Sequence, residues 1–379
     1  MTRPTLPSKL RIAGLPAFAP RLLPVRSRVR GSLVLRLTCL ILGLVLTGAS
    51  AGAHAETRSL GIAAGAPGAT ETELASDMAS LFTSGATLRA LPMLGDLGAG
   101  NIALLLDDPS VDIAFVSADA LAAATAAQGA ALAEKLELVA RLYPQEVHIL
   151  AGTEIKTVAA LAGKRVGVGP EGSGSAATAA ALFKALGVDV EPLGLDAATS
   201  IARLKQGTIA AAVIVGGKPM PPLGAVPPTP GLHLLPIPFG GALEASYLPT
   251  RLGHADYPAL IKDGTEVQTV ATGLVLLAAK AKRDAGSAKR VAQFIDTVFL
   301  RFAELKSRDR HPKFREINLA ASWPGLAKAH AAEAWLARQR TMSAATTAAP
   351  SPRQAEGLGN NEKEALFKQF MEWQRAKGH

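Results

Sequence analysis

The chain has 379 residues, with 40 basic and 31 acidic side chains and a formal net charge of +9. Eight basic residues and no acidic ones lie in the first 55 positions, which leaves 32 basic against 31 acidic residues in the rest. That remainder is nearly neutral, so the basic excess gives no argument for nucleic-acid binding, and the 4% of aromatic residues counts against recognition of single-stranded nucleic acid or carbohydrate.

Residues 1–55 are predicted to be a secretory signal, which places the mature protein in the periplasm. A basic stretch precedes an apolar run from Leu37 to Leu46, and small residues follow up to Ala55. The apolar run is shorter than the ~20 residues that cross a bilayer, which favours cleavage over a retained membrane anchor. Cys39 is the only cysteine, so the cleaved chain would have no disulfide, thiol nucleophile or thiolate metal ligand.

Strand-like and helical stretches alternate from Ser59 onward, which predicts an α/β fold with largely parallel sheets. A helix is predicted after the first strand, with Thr70 or Thr72 as its cap. A second helix is predicted to end at Gly187. The predicted strands lie, in chain order, within RSLGIAAGAPG, VDIAFVSADAL, LVARLYPQEVHILA, GKRVGVG and SIARLKQGTIAAAVIVGGKP, and regular structure is predicted to resume at EVQTVATGLVLLAA.

The end of the chain is predicted to be a linker followed by an amphipathic helix. Residues 341–360 are rich in Ala, Pro, Ser and Gly, a composition typical of linkers. In residues 361–379, Leu366, Phe370 and Trp373 share one helical face, which either packs against the body or docks a partner.

The stretch KRVGVGPEGSGSAATA, residues 164–179, leads from a strand through a glycine-rich turn into a helix. Its Gly-x-Gly-x-x-Gly spacing permits a dinucleotide site, with Glu191 as the ribose-binding acid. A P-loop is excluded because no lysine follows Gly174. The remaining alternatives are a plain helix cap and a carboxylate site, in which backbone N–H groups and the hydroxyls of Ser173 and Ser175 hold the anion.

No catalytic residues, metal site or cofactor are predicted. The histidines that follow the signal show no spacing typical of metal ligands, and His148 is interpreted as a strand residue with a hydrogen-bonded ring. Neither Ser173 nor Ser175 lies in the Gly-x-Ser-x-Gly turn of a nucleophilic serine.

Several segments in order resemble the extracytoplasmic solute-binding receptors of the TAXI type, which serve TRAP transporters. They include LYPQEVHILA, TVAALAGKRVGVGPEGSGSAATAAALFKALGV, YLPTRLGHADYPALI and HPKFREINLAASWPGLAKAHAAEAWL, and the resemblance covers roughly residues 60–336. The resemblance implies a two-lobe periplasmic-binding-protein type II fold, in which lobes close on a ligand about a hinge. Lobe 1 would comprise residues 56–144 and 243–340, lobe 2 residues 145–242, and the hinge Tyr143 and Pro144.

The resemblance also implies a ligand pocket built from loops that follow strands. The implied ligand-binding residues are Gly65, Gly68, Ala69, Thr70, Ser117, Ser173, Gly174, Ser175, Ala176, Gly216, Gly217 and Lys218, with Asp119 beside Ser117. The first loop departs from the family pattern, because Pro67 removes a backbone donor and Glu71 and Glu73 add negative charge.

The sequence therefore predicts a monomeric receptor that binds a small anionic solute, an amino acid or carboxylate, and delivers it to TRAP-type permease subunits. Two other classes stay open. One is an orphan periplasmic sensor or scaffold of the same fold, and the other is an exported dinucleotide-binding oxidoreductase.

Overall fold

The computed structural model describes residues 58–82, 87–280 and 286–347, together with Lys368. Its strands are β1 (Arg58–Ala63), β2 (Leu88–Met93), β3 (Val111–Ser117), β4 (Leu136–Ala151), β5 (Arg165–Gly167), β6 (Glu191–Leu193), β7 (Ala211–Gly216), β8 (His233–Leu234), β9 (Leu248–Gly253) and β10 (Glu266–Ala279). Its α-helices are α1 (Thr70–Ser80), α2 (Ala99–Asp107), α3 (Ala118–Gln128), α4 (Ala130–Lys135), α5 (Gly174–Leu186), α6 (Ala197–Lys205), α7 (Pro221–Gly224), α8 (Ser287–Leu300), α9 (Phe302–Leu305) and α10 (His330–Thr347). Short 3₁₀ turns span Val158–Leu161, Gly241–Leu243 and Pro312–Glu316.

The strands form one mixed sheet in the order β2-β1-β3-β10-β4-β7-β5-β6, with β8 beside β4 and β9 beside β10. β1 pairs in parallel with β2 and β3, and β5 pairs in parallel with β6 and β7. This helix-flanked sheet confirms the predicted α/β class. The sheet is less parallel than expected, because the long strands β4 and β10 run antiparallel to each other and to β7 and β3.

β4 and β10 connect the two halves of the sheet. Near the middle of their ladder, Pro144 lies opposite Gly273 and Gln145 lies opposite Thr272, and the register shifts between Gly273 and Val275. A side chain on Gly273 would collide with the Trp323 ring, since an added Cβ would lie 2.5 Å from it. The predicted hinge pair, Tyr143 and Pro144, thus lies where β4 crosses from one half to the other.

The buried side chains divide into two groups along the chain. Two apolar clusters draw on residues 60–143 and 274–332, and two others draw on residues 147–270. Leu243, Tyr247 and Leu252 pack in the second group, although the sequence predicted a return to the first lobe at residue 243. β10 is long enough to contribute buried side chains to both groups, Val270 to one and Leu274 to the other. The division into two moving lobes stays a prediction.

The sequence predicted one helix end correctly, but it misplaced a helix cap and the start of the linker. Gly187 ends α5 with a left-handed φ of 64°, as predicted. Neither threonine caps α1, because Ala69 is the capping residue and offers no side-chain acceptor. The predicted linker at residue 341 begins too early, since α10 continues to Thr347 through helix-compatible residues that contain no glycine or proline.

The predicted signal, the rest of the linker and the C-terminal helix apart from Lys368 lie outside the described residues. Among the helices that are described, none combines the length and the apolar character needed to cross a bilayer.

Candidate functional site

The structure brings the loops that follow β1, β3, β5 and β7 together in two pairs. The loop after β1 meets the loop after β7, where the buried Thr70 hydroxyl donates to the Gly217 carbonyl over 2.8 Å. The end of β3 meets the start of α5, and a Cβ added to Gly174 would lie 3.0 Å from Ser117 Oγ. Residues from all four predicted binding loops therefore take part in these two contacts.

The start of α5 is already paired with its own chain. Ser173 caps the helix by accepting from the Ala176 N–H over 3.2 Å. The Gly174 N–H donates to the Asp96 carbonyl over 2.7 Å, and the Ala99 N–H donates to the Gly172 carbonyl over 3.0 Å. An anion at these N–H groups would have to displace the loop that precedes α2. Ser175 and Ala176 are half-exposed, and the assignment of this helix start to ligand binding stays a prediction.

The dinucleotide alternative is wrong about its acidic residue. β5 and β6 run parallel, with Arg165 opposite Glu191 and Gly167 opposite Leu193. Glu191 is therefore the first residue of β6. It lies at the opposite end of the paired strands from the glycine turn that follows Gly167. A ribose held by Glu191 would be out of reach of a pyrophosphate in that turn.

The loop after β1, which is the first predicted binding loop, packs against the buried carboxylate of Glu71. A Cβ on Gly65 would lie 3.4 Å from Glu71 Oε2, whereas Gly68 is exposed with a φ of 73° and Ala69 is half-buried. The Tyr143 hydroxyl and the Gln145 amide donate to Glu71 Oε1 over 2.6 and 2.8 Å. Burial raises the pKa of Glu71, and the hydrogen bond from Tyr143 offsets part of that rise.

A buried ion pair lies beside this carboxylate. The Lys313 ammonium contacts Glu146 Oε1 at 2.6 Å, with the two side chains 1% and 3% exposed, and it also contacts Glu316 at 2.8 Å. The backbone N–H of Lys218 donates to the second Glu146 oxygen over 2.9 Å. Both carboxylates near the β4 crossing thus have partners. We call Glu71, Tyr143, Gln145, Glu146 and Lys313 the Glu71 cluster.

Lys218 was predicted to meet a ligand carboxylate. In the structure its ammonium lies 3.1 Å from Asp256 and donates to the Arg251 carbonyl over 2.6 Å. Gly216 packs against Met220, whose Cε would lie 2.7 Å from an added Cβ. The positive charge at this loop is therefore neutralised by the chain, and its contact with a solute stays a prediction.

A second polar cluster lies at the start of α3, and we call Asp119, Thr178, Tyr247 and Thr272 the Asp119 cluster. Burial raises the pKa of Asp119, and the nearby hydroxyls of the other three residues offset part of that rise. Within the described residues, Asp119 Oδ2 and the hydroxyls of Thr178 and Thr272 still have no partner at hydrogen-bond geometry. The amide oxygen of Gln145 likewise lacks a partner in the described chain.

Three of these groups are deeply buried and come from separate elements, whereas the Asp119 residue is half-buried. Thr178, Thr272 and Gln145 are at most 1% exposed. Thr178 lies on α5, whereas Thr272 and Gln145 face each other across β10 and β4. Because an unpaired buried polar group costs about 1–3 kcal/mol, a cluster of them indicates a place that a polar guest or water completes.

The remaining titratable candidates are structural. Both ring nitrogens of His148 have partners, the Ile214 carbonyl at 3.2 Å and the Tyr257 hydroxyl at 2.8 Å, as the sequence predicted. Burial lowers the pKa of His148 to about 4. The described residues include no group of three or more His, Cys, Asp or Glu side chains arranged to hold a metal ion.

Residues 62–321 match the NMT1-like family. The chain belongs to the NMT1-like family. Because the match spans more than half of the chain, it includes both polar clusters. The TAXI subtype stays a prediction.

Similar solved structures include the periplasmic aliphatic sulphonate binding protein SsuA from Escherichia coli, at 20% identity over 82% of this chain and 83% of that one, with a TM-score of 0.40. A TctC solute binding protein from Polaromonas is 16% identical over 75% of this chain and 95% of that one, with a TM-score of 0.39. The substrate binding protein of an amino acid ABC transporter is 12% identical over 64% and 93%, with a TM-score of 0.37. These TM-scores are below 0.5, so the likeness is distant.

Sequence reasoning missed Gln145, Thr178, Tyr247 and Thr272. Gln145 and Thr272 interrupt two otherwise apolar strands, and that interruption is the signal that marks them. Thr178 and Tyr247 carry no such signal, since a threonine within a helix and an aromatic residue near a turn are ordinary.

Proposed function

We propose that this protein is an extracytoplasmic solute-binding subunit that holds a small polar organic solute between its two halves and delivers it to TRAP-type permease subunits. The observation that carries the proposal is the set of buried, unpartnered polar atoms around Asp119, where α3, α5 and β10 meet. Small-molecule sites generally combine a few convergent polar groups of this kind with apolar surroundings.

Amino acids are the solutes that fit this proposal best. The sequence predicted a carboxylate at the first turn of α5, where Ser175 and Ala176 are half-exposed. Unpaired acceptors at the Asp119 cluster are unsuited to a second anion, which argues against dicarboxylates. We therefore favour a solute with both an anionic and a hydrogen-donating end, bound without chemical change.

The test is a thermal-shift screen of the purified full chain against common amino acids, monocarboxylates, dicarboxylates, sulphonates and amines, followed by calorimetry on each hit. A ligand at 100 times its Kd stabilises the folded state by about 2.7 kcal/mol, which moves the Tm by a few degrees. We expect at least one amino acid to bind. A folded protein that responds to no compound in the panel would contradict solute binding.

The delivery step has a separate test. If the protein serves a permease, membrane vesicles that contain the TRAP subunits encoded nearest to it should take up the identified solute only when the protein is added. Uptake that is unchanged without the protein would contradict the assignment to a transporter and would favour the sensor alternative.

A further inference from the structure

We propose that residues 95–98, which we call the strap, form an autoinhibitory contact that fastens the two halves of the protein together at the start of α5 and competes with the solute for it. This inference rests on the proposed function, because it assumes that a solute binds between the halves. It goes beyond that function by naming a segment of the chain that has to move before the solute reaches α5.

The strap joins parts of the chain that pack in different halves. Leu97 belongs to an apolar cluster of the first half, whereas the buried side chains of α5 belong to a cluster of the second half. The Gly174 N–H donates to the Asp96 carbonyl over 2.7 Å. The Ala99 N–H donates to the Gly172 carbonyl over 3.0 Å. Two backbone hydrogen bonds therefore tie the strap to the start of α5.

Gly98 marks a point of very close approach between the halves. An added Cβ there would lie 1.9 Å from the Gly172 carbonyl oxygen and 2.9 Å from the Gly174 backbone nitrogen. The φ of Gly98 is −125°, outside the left-handed region that favours glycine. The space for a side chain is therefore taken by the second half, and the strap's own turn does not require the glycine.

The strap keeps its shape through contacts within the first half. The Asp96 carboxylate accepts from the backbone N–H groups of Gly98, Gly100 and Asn101 over 2.8, 3.1 and 3.0 Å. The buried Asn101 amide in turn donates to backbone carbonyls in β1 and β3. Because none of these contacts involves α5, we expect the strap to stay folded and to move with the first half when the halves separate.

The backbone of the strap is strained between its two hydrogen bonds to the second half. Leu97 lies between Asp96 and Ala99 and has a φ of 59°. Within the described ranges it is the only residue other than glycine with a positive φ. Leucine persists in this left-handed conformation only where surrounding contacts impose it, and such strain concentrates at clamps and switches. The strap is thus a segment held in place by its neighbours.

The strap uses the backbone groups that the sequence assigned to the anion of the solute. The Gly174 N–H is one of the donors at a helix start that can bind an anion, and it donates to the Asp96 carbonyl instead. The strap also pairs with Ser117, whose N–H donates to the Leu97 carbonyl over 2.9 Å. Because these N–H groups are already paired, the solute anion reaches them only in molecules whose strap is released. The apparent affinity is then reduced by the released fraction.

Hydrogen exchange tests the strap in the full chain without a solute. Mass spectrometry follows the amide hydrogens of peptides that cover residues 94–100 and 170–178. We expect Gly98→Ala to accelerate exchange in both segments by about tenfold or more, because its side chain wedges the halves apart. Gly167→Ala is the matched control, since its added Cβ would lie 2.3 Å from Ser200 Oγ and crowds the second half alone.

Circular dichroism confirms that both variants fold. Wild-type exchange rates in Gly98→Ala, or an equal acceleration in Gly167→Ala, would overturn the strap.

Stopped-flow binding tests the competition with the solute. For each compound that binds in the thermal-shift screen, we expect Gly98→Ala to raise the association rate by about tenfold and Gly167→Ala to leave it unchanged. A compound that binds Gly98→Ala and not the wild type would also support the proposal. If exchange accelerates but the association rate does not rise, the strap does not inhibit binding, while solute binding stands. If no compound binds either protein, the proposed function fails and the inhibitory role of the strap fails with it.

Discussion

The acidic residues of the Glu71 cluster and the Asp119 cluster occupy similar positions in the fold but differ in their hydrogen bonding. Each has an acidic residue in the first turn of a helix that follows a strand, α1 after β1 and α3 after β3. Glu71 accepts two hydrogen bonds through one oxygen, whereas Asp119 Oδ2 has no partner in the described residues. The difference separates a carboxylate that holds the fold together from one whose role in binding stays a prediction.

Removing the cation from the satisfied cluster is expected to have the largest effect. Lys313→Met would leave Glu146 buried without its counter-ion, and breaking a buried pair in this way costs about 3–5 kcal/mol. Urea unfolding measures the loss. The double variant with Glu146→Gln should recover much of it, because the unpaired charge is then absent.

Arg251→Met is the matched control for Lys313→Met. It breaks the Arg251–Glu266 pair, whose side chains are 65% and 54% exposed, and pairs of this kind contribute about 0–1 kcal/mol. Equal losses for Lys313→Met and Arg251→Met would show that the Glu71 cluster does not depend on its buried ion pair.

An intermediate effect on the free energy of unfolding is expected from Gly98→Ala, at the contact between the loops that precede α2 and α5. A Cβ on Gly98 would lie 1.9 Å from the Gly172 carbonyl oxygen, so Gly98→Ala must push the two loops apart. We expect the free energy of unfolding to fall by about 1–3 kcal/mol, as overpacking generally causes. Gly152→Ala is the control, since an added Cβ there meets no atom within 4 Å. A loss no larger than that of the control would mean that this loop contact is loose.

The smallest expected effect is on how the free energy of unfolding depends on pH. Burial raises the folded-state pKa of Asp119 above its unfolded value. The resulting penalty is absent below the unfolded pKa and develops as the pH rises through the folded pKa. Asp119→Asn should therefore be more stable than the wild type near neutral pH, and the difference should disappear towards about pH 4, near the ordinary pKa of aspartate.

Urea titrations of both proteins across this pH range measure the difference, in which the shared titrations of Glu71 and Glu146 cancel. A difference in stability that stays constant with pH would show that burial does not raise the pKa of Asp119. Asp263→Asn should track the wild type throughout, because the residue it replaces is exposed.

The sequence predicted the alternation of strands and helices because local periodicity and glycine caps, such as Gly187, specify those elements. Residues that follow parallel strands share one edge of a sheet, which relates the loop after β1 to the loop after β3 and the loop after β5 to the loop after β7. The rule does not relate one pair of loops to the other, and their role in binding stays a prediction. The sequence did not predict that Leu243 and Tyr247 pack with the second half, because that depends on how far β10 extends across the sheet. Nor did it predict the pairing of the Gly174 N–H with Asp96, a contact between residues far apart in the chain.

The pairing of Pro144 with Gly273 has a mechanical consequence. Proline contributes no N–H to the ladder, and glycine contributes no side chain to stiffen the backbone around it. We therefore expect that rung to bend more readily than its neighbours, and the hinge at Tyr143 and Pro144 stays a prediction. Because both connecting strands share this rung, bending there would turn one half against the other about a single axis and leave the apolar clusters on each side intact.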